Sequence, residues 1–180
     1  MMAVRIAMPV DLQIAEAARA VALPADERLP TPANFAHWAE TALLQVNRAD
    51  AIAEQSICIR VTDEAESRTL NRDYRNQDKP TNVLSFPAQL PEALSQVSAD
   101  EPLPLGDLVL SLPVVLEEAR LQGKTLQNHL AHLVMHGTLH LLGYDHEAED
   151  DAQLMESIEI AALAQCGIDN PYAGAAGEAS

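Results

Sequence analysis

Val10, Leu12 and Ile14 alternate with Asp11 and Gln13, and Ile57, Ile59 and Val61 repeat that period of two. Each stretch therefore predicts a strand with one buried face. Two further apolar runs, Asn82–Phe86 closed by Pro87 and Gly106–Ser111, predict two more strands. Elsewhere the spacing is helical. Phe35, Trp38, Ala39, Ala42, Leu43 and Val46 form one apolar face behind a Thr31 cap, with Pro32 at the first helical position and Asn47 able to end the helix. Asp63 and Glu66 have capping-box spacing for a helix through about Arg75. Pro113 opens a helix carrying Val115, Leu116 and Ala119, with Gly123 as its stop. A last helix runs from about Asp150 to Cys166, with Leu154, Ile158 and Ala162 on one side and Gly167 at its end.

The helix from Thr125 to about Leu142 differs from the others. Leu130, Leu133, Val134, Met135, Leu139, Leu141 and Leu142 cover almost its whole circumference, so it is predicted to be buried. Four strands and about five helices, without regular strand–helix–strand alternation, predict an α+β domain. Its small mixed sheet should carry the buried helix centrally against one face. Residues 1–172 read as a single domain, and 173–180, of Ala, Gly, Ser and one Glu, as a flexible tail. The proline- and acid-bearing stretch from Ala88 to Pro104 reads as a long loop.

The one polar stripe on the buried helix is His129, His132, His136 and His140. A lone histidine there would be a satisfied core residue, but four on one stripe are hard to satisfy without a metal. His136 and His140 lie one turn apart and leave the same face. Gly143 is placed to end the helix in a left-handed turn, and His146 follows three residues later. Three converging neutral imidazoles make an open tetrahedral zinc site with a fourth position for water. The spacing matches the long metzincin motif except at Gly137, where those proteases carry the glutamate that accepts a proton.

Charge restricts the partner. Eleven Lys and Arg against 27 Asp and Glu give a net charge of −16, which by itself argues against nucleic acid. The cations that do cluster are Arg68, Arg72 and Arg75 on one helix face, with Lys79 in the loop beyond. Taken alone, such a face is a solvated surface. Cys58 and Cys166 read as free thiols suited to a reducing compartment. No stretch approaches a membrane span or a signal peptide, so a cytoplasmic protein is expected.

Two blocks carry a family resemblance. One is Leu70-Asn71 with Tyr74-Arg75, continuing through Asp78-Lys79-Pro80-Thr81-Asn82-Val83-Leu84-Ser85-Phe86-Pro87. The other is His136-Gly137 with Leu139-His140-Leu141-Leu142-Gly143-Tyr144-Asp145-His146. With Gly106-Asp107-Leu108 between them, the chain from roughly Ile57 to Ala164 resembles the YbeY-type bacterial endoribonucleases. The resemblance implies zinc on His136, His140 and His146, catalysis by Arg75 and the ligand His136, and RNA contacts from Arg68, Arg72 and Lys79. It further implies cleavage of ribosomal RNA, maturation of the 16S 3′ end, and small-subunit quality control with that subunit and its assembly factors as partners. Single-stranded RNA is the expected substrate, because one cationic face cannot grip an A-form duplex widely. Asp145 is expected to orient a histidine, and His132 to stand behind the ligands. His129 also matches the family, with its role open between standing behind the ligands and touching phosphate. Two other classes remain: a metzincin-like zinc peptidase, and a ribosome assembly factor whose structural zinc takes a fourth protein ligand such as His132 or Asp145.

Overall fold

The structure, a computed structural model, describes residues 7–91 and 101–173. Among them run β1 (Val10–Ile14), α1 (Glu16–Arg19), α2 (Pro32–Gln45), α3 (Ala49–Glu54), β2 (Gln55–Thr62) and α4 (Glu64–Arg75), followed by β3 (Val83–Pro87), β4 (Leu103–Ser111), α5 (Leu112–Leu121), α6 (Leu126–Leu141) and α7 (Glu149–Gln165). The described residues thus form seven helices where about five were expected. The additional two, α1 and α3, are one to two turns long and bury a single alanine each, Ala18 and Ala51. Segments that short carry no helical repeat to read. β4 also begins earlier than expected, because Leu103 and Pro104 pair with β2 ahead of a register shift at Ser56/Ile57. Of the expected tail at 173–180, residues 174–180 lie outside the described residues.

The four strands form one sheet in the order β1-β2-β4-β3. β1, β2 and β4 run parallel, and β3 is the antiparallel edge. The fold is α+β with a mixed sheet, as its sequence pattern implies. Register places Leu12 beside Ile59, Ile59 beside Leu108 and Leu108 beside Ser85, so one row of side chains crosses the sheet on one face. That face receives α6, which also packs on α2 and α7, while α4 and α5 lie against β4.

Local chemistry explains the boundaries. Thr31 and Asn34 form a reciprocal capping box, with the Asn34 N–H donating to Thr31 Oγ1 at 3.3 Å and the Thr31 N–H donating to Asn34 Oδ1 at 2.9 Å. Asp63 accepts the Glu66 N–H at 3.0 Å to start α4. The Glu66 side chain, which a capping box would turn back, instead accepts from Arg60 Nε at 2.8 Å and from Thr62. α6 is the core helix, with Leu130, Ala131, Val134, Met135 and Leu139 fully buried. Its approach to the sheet is set by Gly137. A Cβ there would stand 2.7 Å from Leu108 Cδ2 and 3.2 Å from Ser85 Oγ, so a side chain at 137 points at the sheet.

Candidate metal centre

α6 delivers His136 and His140, and its C-terminal turn delivers His146. The Tyr144 N–H donates to the Leu139 carbonyl at 3.1 Å and the Gly143 N–H to that of His140 at 3.0 Å, a Schellman closure. It requires Gly143 at φ +95°, a conformation side chains resist. The chain then folds back, and the ligating atoms of His136, His140 and His146 all lie within 4.8 Å of one another. The Nε2 atoms of His136 and His140 are 3.0 Å apart. Tetrahedral Zn–N bonds of about 2.0–2.1 Å would separate two donors by roughly 3.3 Å, so this donor set fits zinc.

A carboxylate fixes the His136 ring. Glu159 of α7 is fully buried, and the His136 Nδ1–H donates to its Oε1 at 2.5 Å, leaving the Nε2 lone pair for the site. The Tyr172 hydroxyl donates to Glu159 Oε2 at 2.6 Å, and His132 Nε2 lies 3.1 Å from that hydroxyl and 3.6 Å from Glu159 Oε1. Burial pushes the Glu159 carboxyl up, but His132 and His136 beside it and the hydrogen bond from the Tyr172 hydroxyl outweigh it and hold the pKa at about 2. Burial, and then the neighbouring His136 and His146, lower the His140 pKa, which favours the neutral ring that binds metal. Burial first, and then the bond to Glu159, drive the Tyr172 pKa up.

The histidines open into a cleft of about 560 Å³ whose wall includes Arg75, Asn82, Ser85, Asp145 and Glu147. Arg75 thus lines the same cleft as the three histidines, and among the described residues its guanidinium has no acidic partner. The rest of the arginine face does not join it there. Arg68 is paired to Asp78 at 2.8 and 3.0 Å and lines a separate groove with Pro80 and Pro113. Arg72 pairs with Asp73 at 3.0 Å, and the cleft wall does not include Lys79. Asp145 accepts the His146 backbone N–H at 2.7 Å and sits 4.0 Å from that ring's Nδ1. The carboxylate that does hydrogen-bond a ligand ring is therefore Glu159. His129 is only 3% exposed, with its Nε2 2.7 Å from Glu118 Oε2, so contact with phosphate is excluded. Glu118 in turn accepts both bonds from Asn82 Nδ2, at 3.2 and 3.1 Å, so His129 stands behind Asn82 and not behind the metal ligands.

Three of these residues escaped the sequence. Glu159 had a signal: an acid one turn from Met155 and three residues before Ala162, on the buried side of α7. Tyr172 lies outside the regular elements and had none, and Asn82, although it belongs to the block that carries the family resemblance, had nothing to mark its bond to Glu118.

Comparison with known proteins agrees with this geometry. The family described as Endoribonuclease YbeY matches residues 25–167. A relative named Endoribonuclease YbeY from Alkalilimnicola ehrlichii is 52% identical over 145 residues, covering 80% of this chain and 82% of its own length. One of the same name from Pseudomonas entomophila is 51% identical over 148 residues, covering 82% of this chain and 88% of its own length. The solution structure of TM1509 from Thermotoga maritima aligns with 88% of this chain and 91% of its own at 21% identity and a TM-score of 0.49.

Proposed function

The chain belongs to the Endoribonuclease YbeY family, and from that premise we propose that it is a zinc-dependent endoribonuclease cutting single-stranded RNA. The observation carrying this reading is one cleft that combines three convergent imidazoles with an unpaired guanidinium, Arg75. Zinc on His136, His140 and His146 would supply Lewis acidity to a phosphoryl oxygen and a lowered pKa to water. The chain supplies the rest. Glu159 holds His136 in the tautomer that offers Nε2. Arg75 presents a planar fork that matches two phosphate oxygens and opposes the charge growing on them. Asn82, held by Glu118, keeps its position on the cleft wall.

The alternatives lose support on particular positions. A peptidase glutamate at 137 would place its Cβ 2.7 Å from Leu108 Cδ2 and 3.2 Å from Ser85 Oγ, where the contact of α6 with the sheet leaves it no room. A closed structural zinc site needs four protein ligands. The cluster among the described residues has three, with His132 turned to Tyr172 and Glu159, and Asp145 turned to the backbone N–H of His146.

The physiological reading follows the family: ribosomal RNA maturation at the 16S 3′ end and small-subunit quality control, in the cytoplasm. A net charge of −16 favours a ribosomal partner as the source of affinity. No helix among the described residues is long and apolar enough to cross a membrane. The test pairs elemental analysis with cleavage of unpaired and hairpin RNA, casein serving as the peptidase control. About one zinc per chain, lost together with RNA cleavage in His140→Ala, is expected. Equal zinc in both proteins would overturn the ligand set, and faster cutting of the paired strand would overturn the substrate class.

A further inference from the structure

Of the six aromatic residues, Tyr74 alone is turned out to solvent. Phe35 and Trp38 are buried, Tyr144 packs against the core, and Tyr172 is tied to Glu159. Tyr74 is 69% exposed, on a helix whose buried residues are the polar Ser67 and Asn71. Among the described residues the ring has one aromatic neighbour. It meets Phe86 edge-on, with centroids 5.1 Å apart and planes at 72°. Phe86 belongs to β3, the edge strand, and lies between Ser85 and Pro87, which both line the metal-centre cleft. Along α4 the residue after Tyr74 is Arg75, the cleft's unpaired cation. An exposed aromatic ring therefore packs on the edge strand, one residue before the arginine proposed to hold phosphate.

We propose that Tyr74, backed by Phe86, is a stacking platform for one unpaired nucleobase of the RNA strand whose backbone Arg75 holds. The proposal deepens the endoribonuclease reading and rests on it. A cation beside an open aromatic face matches a polymer that alternates phosphate and base. Stacking of this kind accepts any base, because every base has a π-face. It also requires a base free of its own stack, so a duplex cannot use the platform. Strand selectivity would then arise from a feature separate from the histidines.

The experiment measures dissociation constants by fluorescence anisotropy for the zinc-loaded protein and a short unpaired RNA, then repeats them with a single abasic site walked along the strand. Tyr74→Ala should bind about tenfold more weakly, the loss of one stacked base. Tyr74→Phe should bind as the parent does, and both should keep parental zinc content and melting temperature. Leu121→Ala, which removes another exposed apolar side chain, should bind normally. At one position the abasic site should weaken the parent by the same factor and leave Tyr74→Ala unaffected. Parental affinity in Tyr74→Ala, or abasic penalties identical in both proteins at every position, would overturn the platform. Failure of the parent to cut RNA at all would instead overturn the functional reading beneath it.

Discussion

Replacing Glu159 by Gln tests whether a buried carboxylate governs the metal site. The substitution keeps the shape of the side chain and removes its charge. One amide oxygen can still accept from His136 Nδ1, now 2.5 Å from Oε1. The amide NH2 then replaces the Oε2 to which the Tyr172 hydroxyl donates at 2.6 Å, so that contact sets donor against donor until the hydroxyl turns. Loss of a carboxylate behind a ligating histidine commonly costs 10–100-fold in metal affinity, or about 1.4–2.8 kcal/mol. Because Gln keeps one acceptor, a loss near tenfold is expected, measured by zinc competition against a chromophoric chelator. A second measurement separates charge from shape. In the metal-free protein the Glu159 pKa is lowered from 4.5 to about 2. A depressed carboxylate pKa contributes stability that is complete above the unfolded value and fades as pH falls through the folded one. The contribution is on the order of 3 kcal/mol, and it should disappear between pH 4.5 and 2 in the parent but not in Glu159→Gln. Zinc affinity equal to the parent's would refute the orienting role. Identical acid-denaturation curves would refute the electrostatic one.

Two further substitutions address the chemistry. Arg75→Lys keeps the charge and loses the bidentate fork, so zinc content and melting temperature should hold while RNA cleavage falls about a hundredfold to a thousandfold. Undiminished cleavage would return Arg75 to the solvated surface. Gly137→Glu restores the metzincin residue in a place where its Cβ meets Leu108 Cδ2 at 2.7 Å. It should lower stability by about 1–3 kcal/mol in a denaturant titration and confer no casein hydrolysis. Peptide cleavage by this variant would show that position 137 has room for a working glutamate after all.

How far the sequence could be read depended on whether a residue's partner was near in the chain. The histidine stripe, the turn at Gly143 and the Thr31 cap obey short-range rules of helix geometry, and all three were legible. The arginine face was legible as a face but not as a site. Arg68, Arg72 and Arg75 do share a side of α4, yet only the last turn reaches the cleft, while Asp78 and Asp73 engage the other two. The supports behind the site were not legible, because Glu118 lies 36 residues beyond Asn82 and Glu159 lies 23 beyond His136. Only tertiary packing brings those pairs together, α5 against the residue before β3 and α7 against α6. The short helices α1 and α3 were missed for a different reason: each buries one alanine, too little to write a pattern.

The anchoring of His136 also has an order in time. Translation makes all three histidines first, then Glu159, which follows His136 by 23 residues, and then Tyr172, 13 residues later still. At about 5–20 residues per second, the carboxylate is synthesised roughly 1–5 s after the imidazole it holds. During that interval the nascent chain has its histidines but not the clamp that orients His136. The histidine cluster of a chain being born on the ribosome is thus completed only as α7 docks, late in its own making.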